Sequence, residues 1–342
     1  MKENKPHYNF KFNSNTKNLI YKEISETIIS DIEKGVLNEN FHLPSINEFS
    51  VKYAVARDTI EKAYKELKKQ GYITSLRGKG YFVIGKKNKK IKVLLVFNKL
   101  SSFKKIIYDS LLKGLGKKAK VDLHIHHYDP AILKEILHSN SGKYNYYVIM
   151  PHFFYHAKKK HYIPLLKSIP SNELILLDKM VSGVYPDVSA IYQDFKYDIY
   201  DALNSTKNPI EKYRKIKMIF PDTAHHPLEI TEGVQKFCDE SGLSFIINTN
   251  IDKEVITKGT LYIVIEDTDL AKLIKKIRLT KLELGKEIGI ISFNETDLKE
   301  LLNITVISTD FSKMGSSLAA MILKKHHVQI KNPFSIIQRS SL

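Results

Sequence analysis

The stretch LPSINEFSVKYAVARDTIEKAYKELKKQGYITSLRGKGYFV, residues 43–83, decides the fold of the first part of the chain. Ser45 is a good helix N-cap and Glu48 follows three residues later, which is the spacing of a capping box and predicts a short helix. A second helix is predicted to end at Gly71 and to bury one apolar face. The buried positions of that face are predicted to be Ile60, Ala63, Tyr64 and Leu67. Two β-rich runs then flank the glycines of LRGKG, which predicts a hairpin.

Another amphipathic helix is predicted upstream, over residues 20–35. Ile20, Ile24, Ile28 and Ile32 recur every four residues and mark one apolar face. Gly35 is a typical helix stop. Three helices followed by a hairpin form a winged helix-turn-helix arrangement. We therefore predict a winged helix-turn-helix domain over residues 1–85, followed by a polar linker over residues 86–90.

From residue 91 onward the pattern is that of an α/β domain. Helical segments alternate with apolar runs such as IKVLLVF, YYVIM, ELILLD, LSFII and IGIISF. Runs that are apolar at consecutive positions are typical of parallel strands buried on both faces. This alternation predicts a two-lobed, doubly wound α/β domain over residues 91–342.

The positive charge of the chain is concentrated in its first part. The formal net charge is +17 over 342 residues. Residues 1–90 carry 18 Lys and Arg against 10 Asp and Glu, whereas residues 91–342 carry 36 against 27. A small, strongly basic domain joined to a larger domain of lower charge density indicates a polyanionic partner such as nucleic acid.

The composition also argues against several classes of protein. The single cysteine, Cys238, rules out an intramolecular disulfide and fits a reducing compartment. No apolar run approaches the ~20 residues of a membrane helix, and the N-terminal segment lacks the apolar core of a secretory signal. We therefore expect a cytoplasmic protein that does not bind membranes. The sequence shows no Walker A motif, no nucleophile elbow and no strand-linked GxGxxG, so we expect neither an enzyme nor a cofactor.

The order and spacing of residues 15–84 resemble the DNA-binding domain of the GntR family. The shared positions are Tyr21, Gly35, Leu43, Pro44, Ser45, Val55, Arg57, Thr59, Ala63, Tyr64, Leu67, Gly71, Gly78, Lys79 and Gly80. The resemblance implies a homodimer on a pseudo-palindromic double-stranded DNA operator, with the second helix of the motif in the major groove and the wing tip in the minor groove. The candidate DNA-contacting residues are Ser45, Asn47, Arg57, Asp58, Thr59, Glu61, Lys62, Arg77, Gly78 and Lys79.

Three of these residues depart from the family pattern. Asn47 stands where the family has a DNA-contacting arginine, Asp58 replaces a threonine, and Glu61 replaces an arginine. A carboxylate does not attract phosphate, although it can accept a hydrogen bond from cytosine N4. We therefore expect the domain to bind DNA in the same geometry as the family, but at an operator with a different base sequence. For Gly78 and Gly80, a role as plain hairpin glycines remains the alternative.

Residues 91–342 resemble the sugar-sensing domain of the LacI/GalR repressors and the periplasmic sugar-binding proteins. The motifs that carry this resemblance are YVIMP (147–151), ELILLDK (173–179), VSAIYQDFKYDIYDAL (188–203), EGVQKFCDESGL (232–243), IGIISFNE (288–295), ITVISTDFSKMGSSLAAMIL (304–323) and the terminal IIQRSSL (336–342). A chain that joins a GntR-type DNA-binding domain to an effector domain of this kind is similar to the arabinose-repressor type. The resemblance implies that residues 91–342 bind an effector and form the dimer. It further implies a repressor that is controlled by a monosaccharide bound between the lobes, with L-arabinose or L-fucose as the first expectation.

The same resemblance implies effector contacts at the carboxyl ends of strands. Tyr108 occupies the position that stacks on the sugar face, and Asp178 with Lys179 replaces an Asp-Arg pair that grips hydroxyls. Asp267 matches a hydroxyl-binding aspartate, and Asn294 stands where an aspartate or glutamine is usual. The candidate effector-binding residues are Tyr108, His152, Asp178, Lys179, His226, Asp267 and Asn294.

One departure in this body concerns the ligand directly. Ile230, ahead of Gly233, stands where the family has an arginine that binds the sugar bidentately. His152, His225 and His226 lie near the predicted site and could supply the missing polar contacts.

The sequence leaves other functions open. The body could be an α/β sugar-metabolising enzyme with a DNA-binding appendage, or a regulator that senses a ligand other than a sugar. A basic protein that binds nucleic acid without sequence preference is a further alternative. HIHHY (124–128) suggests metal binding, but its His124/His126 pair is expected on a strand without the carboxylates or cysteines that would complete a site, so we expect no metal.

Overall fold

The computed structural model describes Phe10 and residues 20–84, 90–222 and 226–342. The chain divides into two compact units, Met1–Lys90 and Ile91–Leu342. Residues 86–89 of the predicted linker and His225 lie outside the described residues, as do most of residues 1–19.

In its described part, the first unit contains three helices and a three-stranded antiparallel sheet. Its elements in chain order are α1 (Ile20–Glu33), β1 (His42–Leu43), α2 (Ile46–Tyr53), α3 (Arg57–Lys69), β2 (Ile73–Leu76) and β3 (Gly80–Val83). The strands follow the order β1-β3-β2, so β3 lies between the hairpin partner β2 and the short β1. From the apolar face predicted for α1, Ile24, Ile28 and Ile32 pack into one buried cluster with the predicted face of α3 and with Phe49 of α2. Ile20, the first residue of α1, is 47% exposed and does not belong to this cluster. The predicted winged helix-turn-helix fold is confirmed.

The second unit consists of parallel strands that alternate with helices. Its helices are α4 (Ser102–Leu115), α5 (Pro130–Asn140), α6 (Lys159–Lys167), α7 (Phe195–Ser205), α8 (Lys207–Ile210), α9 (Glu229–Ser241), α10 (Asp267–Arg278), α11 (Asp297–Leu301) and α12 (Phe311–Lys324). Its strands are β4 (Ile91–Phe97), β5 (Ala119–Ile125), β6 (Tyr146–Ile149), β7 (Leu174–Asp178), β8 (Ser189–Tyr192), β9 (Lys215–Ile219), β10 (Ser244–Asn248), β11 (Thr260–Val264), β12 (Ile288–Phe293), β13 (Thr305–Thr309), β14 (Gln329–Lys331) and β15 (Phe334–Ile337).

These strands form two six-stranded sheets, one in each lobe. Lobe 1 has the order β5-β4-β6-β7-β8-β14, and lobe 2 has the order β10-β9-β11-β12-β13-β15. All neighbouring strands are parallel except β15, which runs antiparallel to β13. Each sheet has a buried apolar cluster on either face. The predicted doubly wound, two-lobed body is confirmed, and its topological switch points lie between β4 and β6 and between β9 and β11.

The chain passes between the lobes at three places, after β8, after β13 and after β14. Asn332, in the third crossover, connects all of them. Its backbone N–H donates to the carbonyl oxygen of Tyr192 at 2.8 Å, and its Nδ2 donates to Thr309 Oγ1 at 2.8 Å and to the carbonyl oxygen of Asp310 at 2.9 Å. The backbone and side chain of this one residue therefore connect all three crossovers between the lobes.

Two expectations about strands are wrong. The run LSFII forms β10, but Ile246 and Ile247 are 41% and 46% exposed rather than buried on both faces. The reason is that β10 lies at the edge of its sheet, with β9 as its neighbour. His124 and His126 do not share a strand either, because β5 ends at Ile125 and the chain turns there.

Candidate functional site

The helix-turn-helix of the first unit is fixed by local hydrogen bonds. Ser45 Oγ accepts from the backbone N–H of Glu48 at 3.2 Å, and Glu48 Oε2 accepts from the N–H of Ser45 at 2.8 Å, which is the predicted capping box. Ala54 closes α2 in the left-handed conformation, with φ of +52°. Tyr64 Oη donates to the carbonyl oxygen of Pro44 at 2.8 Å and so fixes α3 against the start of α2. Burial raises the pKa of Tyr64, which therefore keeps the proton it donates.

The predicted base-reading residues lie at the start of α3. Arg57 is its first residue, and Arg57, Asp58, Glu61 and Lys62 are exposed while Thr59 is half-buried. Asn47, in the first turn of α2, is also exposed. Glu61 forms an i,i+4 ion pair with Lys65 at 3.3 Å. Arg57 thus presents an exposed guanidinium in the first turn of α3, where a helix-turn-helix presents side chains to base edges.

The wing is a tight hairpin whose tip carries Arg77, Gly78 and Lys79, all exposed. Gly78 and Gly80 have φ of +73° and +96°, which non-glycine residues rarely adopt. The N–H of Lys79 donates to the carbonyl oxygen of Leu76 at 3.0 Å and closes the turn. The predicted contact residues of the wing thus lie together at its tip.

His42 holds this wing tip, although sequence reasoning missed it. Its Nε2 lies 2.8 Å from the carbonyl oxygen of Lys79, and its ring centroid lies 4.7 Å from that of Phe82. A Cβ placed on Gly80 would come within 2.7 Å of the same Nε2. The signal that could have found His42 is its position in β1, directly opposite Phe82 in β3.

A cavity of about 440 Å³ lies between the two lobes of the second unit. Lobe 1 contributes the loops that follow β6 and β7 together with the start of α6, and lobe 2 contributes the start of α9 and the residues before it. The polar and aromatic side chains that line it are His152, Phe153, Phe154, Tyr155, Lys159, Tyr162, Lys179, Ser182, His226, Glu229 and Glu232. Its volume lies in the range typical of small-molecule sites, roughly 300–1,000 Å³.

The structure brings three of the predicted effector residues to this cavity, namely His152, Lys179 and His226. Among the described residues, Tyr108, Asp178, Asp267 and Asn294 do not line it. Tyr108 packs instead on the buried cluster that α4 and α12 share.

Asp178 is buried behind the cavity in a charged network. Its Oδ2 lies 3.0 Å from Lys104 Nζ and 3.0 Å from His152 Nε2, and its Oδ1 accepts from Gln193 Nε2. Burial alone would raise the pKa of Asp178, but the charge of Lys104 and the bonds from His152 and Gln193 outweigh it and hold the pKa far below its usual range. Asp178 is therefore an anion at neutral pH. Lys104 escaped sequence reasoning because it lies 74 residues away along the chain.

Two polar contacts join the lobes across the cavity. Tyr155 Oη, from lobe 1, donates to the carbonyl oxygen of His226 at 2.6 Å. Lys179 Nζ, also from lobe 1, pairs with Glu229 Oε1 of α9 at 2.8 Å. His226 Nε2 in turn lies 2.7 Å from Glu266 Oε1. Because His226 follows β9 and Glu266 follows β11, this pair lies at the switch point of lobe 2, where open α/β sheets bind ligands.

The remaining predicted positions of lobe 2 have partners of their own. Asp267 Oδ1 pairs with the buried Lys299 Nζ at 2.7 Å. The same ammonium donates to the carbonyl oxygen of Asn294 at 2.8 Å, and Asn294 has φ of +62°. Ile230 is buried in the apolar core under α9, so this position adds no polar group to the cavity.

The described residues hold no group of three or more His, Cys, Asp or Glu side chains arranged to bind a metal ion. Within the same residues, the structure has no helix with the length and apolar character needed to span a membrane.

Comparisons with known proteins place the first unit in a family. The family described as bacterial regulatory proteins, gntR family, matches residues 20–83. The chain is 34% identical over 119 residues to the uncharacterized HTH-type transcriptional regulator YurK of Bacillus subtilis (strain 168), across 35% of this chain and 45% of YurK. The match thus spans less than half the length of that relative. With the HTH-type transcriptional repressor YtrA of the same organism, identity is 31% over 100 residues, across 28% of this chain and 74% of YtrA.

The second unit shares its fold with a solved bacterial repressor. The trehalose repressor from Escherichia coli superposes with a TM-score of 0.59 at 15% identity, covering 73% of this chain and 100% of that chain. At this identity the likeness establishes the fold of the body. The family match over residues 20–83 and the relative YtrA, of which this chain covers 74%, lead to one conclusion: the chain belongs to the GntR family of bacterial regulatory proteins.

Proposed function

We propose that the chain is a cytoplasmic, homodimeric transcriptional repressor that binds a pseudo-palindromic DNA operator and responds to a small sugar. The observation that carries this proposal is the combination of two sites on one chain. A basic winged helix presents Arg57 and the Arg77–Lys79 tip, and a separate α/β body carries a cavity of about 440 Å³ between its lobes. DNA is the partner that suits the first site, and a ligand of monosaccharide size suits the second.

The lining of the cavity supports a sugar as the ligand. Phe153, Phe154, Tyr155 and Tyr162 offer aromatic surface, and His152, Lys179 and Glu229 offer hydrogen-bond donors and acceptors. A sugar needs both, because its ring presents an apolar face and a rim of hydroxyls. The similar Escherichia coli protein is a trehalose repressor, and trehalose is itself a sugar.

The effector is proposed to act by closing the lobes. Tyr155 and Lys179 already reach across to His226 and Glu229, so a ligand that bridges the same walls would favour the closed arrangement. A body that senses its ligand in this way needs no catalytic group, and we infer that it does not transform the effector.

One observation favours a second candidate, a regulator that senses a ligand other than a sugar. Ile230, at the position where the resemblance expects a bidentate arginine, packs into the apolar core. The cavity therefore has no guanidinium to grip a pair of sugar hydroxyls from α9.

The test uses the full chain. A duplex is selected from a random-sequence pool, and its affinity is measured by fluorescence anisotropy at fixed salt, with and without monosaccharides, sugar phosphates and amino acids at high concentration. A ligand at 100 times its dissociation constant stabilises the fold by about 2.7 kcal/mol, so thermal melting identifies binders in parallel.

The expected result is a sequence-selective complex that one sugar weakens. Replacing His226 with phenylalanine should abolish that response, whereas the same change at the exposed His138 of α5 should not. Binding without sequence preference would contradict the regulator, and turnover of a sugar would favour the enzyme. A response to an amino acid alone would favour the second candidate.

A further inference from the structure

His152 lies between a buried anion and the effector cavity. It lines the cavity, yet only 7% of its surface is exposed. Its Nε2 lies 3.0 Å from Asp178 Oδ2, and its ring packs edge-on against Phe195 with centroids 5.9 Å apart. The ring is therefore held in one orientation.

The partner of Nε2 decides which ring nitrogen carries the proton. An ionised carboxylate only accepts hydrogen bonds, so Nε2 must be the donor. Asp178 is ionised because Lys104 Nζ lies 3.0 Å from the same oxygen and Gln193 donates to the other one. The carboxylate thus imposes the Nε2–H form on His152.

The surroundings of His152 disfavour a second proton. Burial lowers the pKa of His152, the bond to Asp178 acts in the opposite direction, and the positive charges of Lys104 and Lys179 lower the pKa further. A neutral imidazole with its proton on Nε2 has a lone pair on Nδ1. The ring bond found for His152 among the described residues is made by Nε2, and His152 lines the cavity, so Nδ1 is the ring nitrogen available to a ligand.

We propose that Nδ1 of His152 accepts a hydrogen bond from a hydroxyl group of the effector, and that Asp178, Lys104 and Gln193 are positioning residues that fix the tautomer and orientation of this ring. The existence of the effector rests on the proposed function. Asp178, which the family resemblance places among the direct ligands, instead acts through His152.

The assignment restricts the class of ligand. A carboxylate or a fully ionised phosphate has only hydrogen-bond acceptors, so its oxygens would be repelled by the lone pair of Nδ1. A neutral hydroxyl group can donate to Nδ1, and so can an ammonium group, because Lys104 and Lys179 are each paired with a carboxylate. Of these two donors, the hydroxyl is the one that a sugar supplies, so under the proposed function the group of the effector that meets His152 is an alcohol.

The network also reaches the hinge. Gln193 belongs to the first crossover between the lobes, and its backbone N–H donates to the carbonyl oxygen of Asp178 at 3.1 Å while its side chain donates to the carboxylate. A ligand bonded to His152 would therefore be two hydrogen bonds away from the first crossover between the lobes.

The first experiment measures the tautomer of His152 in the ligand-free full chain. The protein is labelled with ¹⁵N-histidine, and His152 is assigned from the resonances lost in His152→Gln. Two-bond ¹⁵N–¹H spectra are recorded from pH 6 to pH 8. The expected pattern is a neutral ring with its proton on Nε2 throughout. A ring protonated on Nδ1, or an imidazolium at pH 7, would overturn the proposal.

The second experiment tests the positioning residues with a matched pair of variants. Lys104→Met removes the buried cation, and Lys105→Met removes its exposed neighbour in α4, which pairs with Asp109. The titration of His152 should move to higher pH in Lys104→Met and stay unchanged in Lys105→Met. No movement in a folded Lys104→Met would remove Lys104 from the positioning role. If Lys104→Met does not fold, Gln193→Ala is used, and a growing Nδ1–H population is then the expected result.

The third experiment adds L-arabinose, L-fucose and D-glucose, each at saturation as judged by thermal melting. A bound sugar should shift the Nδ1 resonance and leave the proton on Nε2. A sugar that raises the melting temperature without shifting either nitrogen would overturn the contact. The proposal about His152 and the proposed function can fail separately. If the chain binds its operator but His152 carries its proton on Nδ1, only the proposal about His152 is overturned. If the proton is on Nε2 but the chain binds neither operator nor sugar, only the proposed function is overturned.

Discussion

His42 and Lys79 connect the wing to the start of the helix-turn-helix. The Nε2 of His42 donates to the carbonyl oxygen of Lys79 across 2.8 Å, and His42 stands in β1, three residues before the N-cap Ser45 of α2. Because a carbonyl oxygen only accepts, the proton on Nε2 is required for this bond. The tip that carries Arg77 and Lys79 is thereby held at a fixed place on the surface of the domain.

Replacing His42 with phenylalanine should weaken DNA binding without unfolding the domain. Phenylalanine keeps the ring contact with Phe82 but loses the donor, and one hydrogen bond of this kind contributes about 0.5–1.5 kcal/mol. We therefore expect affinity for the selected duplex to fall roughly 2- to 12-fold. His42→Gln, which restores a donor, should recover most of the loss. The measurement is anisotropy at fixed salt, together with thermal melting.

The control for this prediction is the double variant Arg77→Ala/Lys79→Ala. If His42 acts by positioning the wing, His42→Phe should not lower the affinity for the duplex any further in the variant that already lacks Arg77 and Lys79. An equal loss in both backgrounds would show that His42 acts elsewhere.

Arg57 and Lys62 should contribute to DNA binding in different ways. Arg57 begins α3, where a guanidinium can bind guanine bidentately, so Arg57→Ala should reduce discrimination at one base pair by about 1–3 kcal/mol. Lys62→Ala should weaken all duplexes similarly and reduce the salt dependence by about one phosphate contact. Affinities for single-base variants of the selected duplex at several salt concentrations separate the two effects. A uniform loss in Arg57→Ala would contradict its role in reading a base.

Removing the charge of Asp178 should destabilise the second unit. Asp178→Asn leaves Lys104 as a buried and unpaired cation, and breaking a buried pair from one side costs about 3–5 kcal/mol. Adding Lys104→Met to Asp178→Asn should recover part of this loss, because the unpaired charge is then removed as well. Urea unfolding at pH 7 measures the wild type and both variants. A double variant less stable than Asp178→Asn alone would contradict the pairing.

The same carboxylate predicts how stability depends on pH. The pKa of Asp178 is held far below its usual range by Lys104, His152 and Gln193, despite the opposing effect of burial. A group of this kind stabilises the fold above its pKa in the unfolded chain, about 3.9 for aspartate, and the contribution is lost as the pH falls below that value. Unfolding free energies between pH 3 and pH 7 should therefore fall more steeply in the wild type than in Asp178→Asn. Parallel curves would contradict the assignment.

Tyr155→Phe should favour separation of the lobes. The variant loses the 2.6 Å bond to the carbonyl oxygen of His226, and the closed arrangement then loses about 0.5–1.5 kcal/mol. We expect a larger radius of gyration in small-angle scattering and an effector affinity roughly 2- to 12-fold lower. The matched control is Tyr144→Phe, which removes a hydroxyl bonded to Asp122 within lobe 1 and should change neither quantity.

Much of the first unit could be predicted from the sequence because its determinants are local. The capping box of Ser45 and Glu48 spans one helical turn, and the buried face of α3 follows from the spacing of Ile60, Tyr64 and Leu67. The positive φ of Gly78 and Gly80 is a property that glycine adopts at little cost. Signals that extend over three or four residues can be read directly from their order in the chain.

The α/β body could be predicted as a class for the same reason, since consecutive apolar runs mark strands of a parallel sheet. The sequence by itself did not determine which strands lie at the edges. The residues Ile246 and Ile247 of β10 are as apolar as those of a central strand, and only the strand order exposes them.

The partners of the charged residues were decided by the tertiary structure alone. Asp178 meets Lys104, His152 and Gln193 because parallel strands and their crossovers bring the ends of distant segments to one edge of the sheet. A buried charge must find an opposite charge or a donor there, and that partner can be any residue that the topology places within about 3 Å. The sequence thus determined the helices, the strands and the exposed residues of α3 and the wing tip, and the packing of the lobes decided which side chains line the cavity and which lie behind it.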